Sequence, residues 1–153
     1  MINNNNLLEE KFVDVEVIKE NWNTYETEDG SIIKQKYLIS FIIDTGEKDE
    51  EGKSKYWFAN NSITTVYSPK KIRGPPDKNY PVNELEKYII QPNVKFRQIF
   101  DGGNNEYKTE KFLIILRNIV KKIDKTNKFD QKGNIQYIVR SEIEILLSEI
   151  TSE

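Results

Sequence analysis

Val13, Val15 and Val17 alternate with Asp14 and Glu16, so Lys11–Lys19 reads as one half-buried strand with the period of two of a pleated sheet. Asn23–Glu28 is a weaker second strand. Asp29-Gly30 after it predicts a two-residue type I′ hairpin turn. Ser31–Ile43 is apolar on both faces: Ile33, Tyr37, Ile39, Phe41 and Ile43 are interleaved with Leu38 and Ile42, as expected of a strand inside a sheet covered on both sides. Asp44–Ser54 is a charged loop, and Lys55–Tyr67, rich in aromatic and β-branched residues, is a further strand ended by Ser68-Pro69. Gly74, Pro75, Pro76 and Pro81 mark an irregular connector. Asn83–Ile90 is expected as a short helix, capped by Asn83 with Glu86 completing a capping box, and ended by Pro92.

The pattern then returns. Trp22-Asn23-Thr24-Tyr25-Glu26-Thr27-Glu28 reappears, degraded, as Gly103-Asn104-Asn105-Glu106-Tyr107-Lys108-Thr109-Glu110, and Asp49-Glu50-Glu51-Gly52 before Tyr56 reappears as Asp130-Gln131-Lys132-Gly133 before Tyr137. The offset is roughly 80 residues both times, the mark of an internal duplication. Val94–Phe100 corresponds to Lys11–Lys19, Lys111–Ile123 to the central strand, Lys125–Gly133 to the charged loop, and the Asp29-Gly30 turn shrinks to Lys111. Beyond Ser141 two signals conflict. Ser141 with Glu144, and Ile143, Leu146, Leu147 and Ile150, have helical spacing; the repeat requires a strand, expected as far as about Leu146. The fold class expected is mainly β, two tandem small-barrel-like repeats of about four strands each, with one short connecting helix. The expected organisation is a polar tail at 1–10, a first β repeat at 11–68, a connector with a short helix at 69–92, and a second β repeat at 93–153.

Composition narrows the chemistry. The 153 residues contain no cysteine and no histidine, and the net charge is −2. Disulfides, thiolate metal sites and thiol nucleophiles are thereby excluded, as is the one side chain that titrates unaided near neutrality. A general acid or base would have to be a strongly shifted carboxylate, lysine or tyrosine, which argues against an enzyme. The Met1–Ser68 half is acidic and the Pro69–Glu153 half basic. No run approaches the roughly 18 apolar residues of a membrane span and no secretory leader is visible, so a cytoplasmic protein is expected, with no membrane, no cofactor and no small-molecule substrate.

Glu20-Asn21-Trp22-Asn23-Thr24-Tyr25-Glu26-Thr27-Glu28-Asp29-Gly30 resembles the Trp-Asn, Tyr, Glu-Asp-Gly hairpin of a group of mainly archaeal small β-rich proteins with no assigned activity. Ser68-Pro69-Lys70-Lys71-Ile72-Arg73-Gly74-Pro75-Pro76 is similar to the segment that follows in that group. The likeness covers Phe12–Gly74 well and the second half loosely, where Gly103 replaces Trp22. It implies a β-rich fold and no chemistry.

Three clusters are candidate sites. Asp44, Glu47, Asp49, Glu50 and Glu51 could offer oxygen ligands, but their spacing is not that of a calcium loop, and a solvated hairpin tip explains them better. Lys121, Lys122, Lys125, Lys128 and Lys132 with Phe129 could track a phosphate backbone and stack a base, although Asp124 and Asp130 dilute the field. Trp22, Tyr25, Tyr37, Tyr56, Trp57 and Phe58 are for the most part core. Neighbours in Tyr56-Trp57-Phe58 point to opposite faces, which makes Trp57, with Trp22 and Tyr25, the candidate partner contact. The expected role is a non-enzymatic interaction module binding a protein partner, or itself, through a sheet edge or an aromatic face. The alternative is nucleic-acid binding by the lysine loop 121–132.

Overall fold

The chain is described here from a computed structural model over residues 9–150; most of the expected tail, 1–8, lies outside the described residues. The fold is mainly β. Among the described residues ten strands, β1 (Lys11–Val13), β2 (Glu16–Lys19), β3 (Asn23–Thr27), β4 (Ile32–Lys48), β5 (Ser54–Tyr67), β6 (Ile89–Gln91), β7 (Phe96–Phe100), β8 (Asn105–Lys108), β9 (Phe112–Phe129) and β10 (Ile135–Glu149), make two five-stranded sheets. One short helix, α1 (Val82–Leu85), lies in the connector.

Both sheets follow one pairing scheme, and each borrows a strand. Sheet A is built on the β4–β5 hairpin, with β3 and β1 on the other edge of β4; sheet B is built on the β9–β10 hairpin, with β8 and β6 on the other edge of β9. β2, from the first half of the chain, pairs with β8 in sheet B, and β7, from the second half, pairs with β3 in sheet A. The exchange is fastened by two asparagines. Asn23 Oδ1 accepts the Gly102 N–H at 2.7 Å, and Asn105 Oδ1 accepts the Asn21 N–H at 2.9 Å. The sheets pack with the tip of one hairpin over the base of the other. Ile39, Ile42, Tyr107, Phe112, Ile114 and Leu116 form one apolar cluster, and Tyr25, Ile33, Ile123, Ile135 and Tyr137 the second. Gln35 lies between them, 2% exposed, and accepts hydrogen bonds from Asn118 and Ser141.

Several expectations are corrected. The sheets are open and no barrel closes among the described residues, because β4, β5, β9 and β10 run 14 to 18 residues as long hairpins rather than curling, and one strand of each half, β2 and β7, leaves for the opposite sheet. Lys11–Lys19 is therefore two strands, broken at Asp14-Val15 where the chain crosses over. The turn after β3 is not type I′. Only Gly30 has positive φ (94°), and Thr27 N–H donates to Ser31 O across a three-residue loop. Residues 44–48 belong to β4, so the charged loop shrinks to the hairpin tip. The connector helix starts one residue earlier than expected, after Pro81, with no side-chain cap from Asn83; it ends at Leu85 and passes through a 3-10 turn into β6. Residues 141–149 are strand: the hydrogen-bonding edge of β9 outweighs a helical pattern.

Candidate functional site

The outer face of sheet A carries the largest aromatic exposure. In β4 the inward side chains are Ile33, Gln35 and Ile39, and a register shift between Ile39 and Phe41 resets the alternation. Ile42 then points inward and is fully buried, which turns Phe41 and Ile43 outward. β1 and β5 flank Ile43 with Phe12 and Trp57, so one row across three strands is Phe12, Ile43, Trp57. Phe12 stacks on Phe41 at 5.5 Å between ring centres, and Phe41 meets Trp57 at 6.0 Å. Phe12 is 66% and Trp57 56% exposed. Further down the face, Lys34 and Lys36 stand over the Trp22 ring at 5.5 and 5.1 Å. Lys55 lies two residues before Trp57 on the same strand, hence on the same face. Glu26 is the carboxylate of this face, and Arg97 pairs with it at 2.8 Å.

The same position in sheet B is covered. Ile138 occupies the place of Trp57, five residues beyond the glycine of the hairpin turn in each case, and is 2% exposed. The connector lies over that face. Asn93 N–H donates to Asp124 at 2.7 Å, Arg140 pairs with Asp124 at 3.0 Å and with Glu86 at 3.2 Å, and Leu85 and Val94 are buried. Burial opposes ionisation of Asp124, but the Asn93 N–H and the Arg140 and Lys122 cations hold its carboxyl below the usual range.

Of the expected contacts, Trp57 is on the open face and Trp22 is half-buried at its far end. Tyr25 is not a contact. It points inward from β3, is 3% exposed, and packs edge-on against Phe96; burial, with Asp101 nearby, pushes its hydroxyl up to about 12. The partners missed by the pattern are Phe12 and Phe41. Phe12 sits near the N-terminus on a three-residue strand, and the bulge that turns Phe41 outward has no sequence mark.

The lysine loop is not an open cationic surface. Lys121 pairs with Glu142, Lys122 with Asp124, and Lys125 with Asp29 at 2.9 Å. Lys128 lies over Tyr88 and Tyr80 at 4.2 and 5.3 Å. Phe129 packs into the second apolar cluster, so tightly against Gly74 that a Cβ there would fall 2.3 Å from the ring. Lys132 is exposed. Among the described residues no group of three or more carboxylates is placed to hold a metal ion, and no helix is long and apolar enough to cross a membrane. Compared with protein-family models, curated proteins and solved structures, the chain matches none.

Proposed function

We propose that the chain is a cytoplasmic, non-enzymatic interaction module that docks a protein partner on the outer face of sheet A. The observation that supports this is the Phe12–Phe41–Trp57 cluster, exposed where the matching position of sheet B lies under the connector. Rings held by neighbouring strands lose little freedom on binding and release much apolar surface, the profile of an interface anchor. Lys34, Lys36 and Lys55 form no ion pair among the described residues, so the partner surface that fits is apolar with an acidic rim. Capture from a lysate of the source cell, comparing wild type with the Phe12→Ser/Trp57→Ser double variant, tests it. The wild type retains a partner that the variant loses while its circular dichroism is unchanged. The same proteins on both baits would refute the reading.

Single-stranded nucleic acid is the second reading, favoured by the alternation of lysines and rings on that same face rather than by the lysine loop. A labelled oligonucleotide released steeply as salt rises, and lost on Lys34→Glu/Lys36→Glu, would select it.

A further inference from the structure

The two hairpin tips meet the opposite half of the chain in matching ways, with the charges exchanged. In sheet B, Lys125 lies opposite Tyr137, and in sheet A Asp44 lies opposite Tyr56. Each pair faces the turn that opens the other hairpin: Asp29 belongs to the turn facing Tyr137, and Lys111 to the turn facing Tyr56. At the sheet B end the charges close. Lys125 Nζ is 2.9 Å from Asp29, and the Tyr137 hydroxyl lies 3.0 Å from both oxygens of that carboxylate. At the sheet A end Asp44 and Lys111 form no ion pair among the described residues. They stand on the wall of a cavity of about 350 Å³ instead. Tyr56 and Phe112, ring centres 5.0 Å apart, line the same cavity, with Phe12 and Val13. Asp44 spends Oδ1 on the Gly46 N–H at 3.0 Å, and no hydrogen bond occupies Oδ2 among the described residues.

Lys11, Asp14 and Glu110 stand on the same wall, and none of these charges forms an ion pair among the described residues. Charges of both signs over an aromatic floor suit a ligand that carries one charge of each sign beside an apolar group. Its volume is near the low end of ligand pockets, roughly 300–1,000 Å³. We propose that this pocket binds a free α-amino acid with an aromatic or branched aliphatic side chain, its ammonium on Asp44, its carboxylate on Lys111 and its side chain against Tyr56 and Phe112. The ligand bridges the charges that Lys125 and Asp29 join directly at the other end. Binding is non-covalent; Phe12 borders both this cavity and the docking face, and the Asp44 and Lys111 variants below test the cavity alone.

Calorimetric titration of the full chain with L-phenylalanine and with L-leucine tests the proposal. One-to-one binding is expected. Asp44→Asn and Lys111→Met, each checked for an unchanged circular dichroism spectrum, should each weaken it by roughly tenfold or more, the weight of one charge-assisted contact. Blocking either end of the ligand, as the N-acetyl amino acid or its methyl ester, should weaken it as much. The proposal is overturned if neither amino acid binds at about 10 mM, where even a millimolar site is mostly filled. It is overturned equally if both variants bind like the wild type, or if the blocked ligands bind as tightly as the free ones.

Discussion

The β9–β10 hairpin ends in a closed tip and the β4–β5 hairpin in an open one, although both turn through the same loop. Asp49 and Asp130 each accept two or more loop N–H groups on one carboxylate oxygen, and Gly52 and Gly133 have φ of 82° and 83°. What differs is the surrounding chain. Residues 68–77 wrap the second tip: Ser68 N–H donates to Asn134, Gly74 N–H to Gly133 O, and Asp77 N–H to Asp130 O. Ile72 adds to the apolar cluster beneath. Around the first tip the loop residues are exposed, and the aromatic face and the charged pocket lie just below it. One hairpin design is therefore clamped at one end and exposed at the other, where the docking face and the ligand pocket are proposed.

Glycine substitutions separate the two ends most sharply. A Cβ on Gly133 would lie 2.5 Å from Gly74 O, whereas one on Gly52 meets nothing within 4 Å. Gly133→Ala should cost about 3 kcal/mol, backbone strain plus a clash with main chain, and Gly52→Ala only about 1 kcal/mol, the strain alone. Urea unfolding of the two variants measures the difference, and equal losses would remove the distinction. The ion pairs give a smaller contrast. Lys125→Met should lower stability by about 2 kcal/mol, less than for a fully buried pair because Lys125 and Asp29 are 22% and 19% exposed. Asp44→Asn, with no ion-pair partner among the described residues, should change it by under about 0.5 kcal/mol.

The acid response is the mildest test. Burial opposes ionisation of Asp29, but hydrogen bonds from Thr27, Lys125 and Tyr137 hold its carboxyl below the usual range, and Asp124 is lowered likewise. Lowered carboxyls contribute stability above their unfolded value of about 4, and that contribution is lost as pH falls through the lower folded value. Stability should thus fall below about pH 4, with a shallower fall in Asp29→Asn. With no histidine in the chain, no His-linked step is expected between about pH 5 and 8.

Much of this was legible in the residues. Asn-x-Tyr-x-Thr falls on β3 at 23–27 and on β8 and the residue after it at 105–109, with the same three side chains buried, and the two Asp-x-x-Gly loops have matching hydrogen bonds. Apolar runs on both faces located β4 and, through the repeat, β9, and aromatic and β-branched residues located β5, but β4 is not covered on both sides as expected: Phe41 and Ile43 lie on the open face. The strand exchange was not legible, since Val13, Val15 and Val17 alternate the same way whether the chain stays in one sheet or crosses at Asp14. Pairing partners belong to the fold, not to local pattern. Tyr25 and Trp57 illustrate the limit: both are aromatics on strands, and only the position of the second sheet buries one and exposes the other.

Hydrogen exchange at the two tips tests the comparison most directly. The amides of Asp130, Gly133, Asn134 and Ile135, held beneath residues 68–77, should exchange only on global unfolding, while those of Asp49, Gly52 and Lys53 should exchange orders of magnitude faster through local opening. Equal protection at both tips would contradict the account: neither end would then be open, and the pocket and the aromatic face beside it would lose their reason to be read as recognition surfaces.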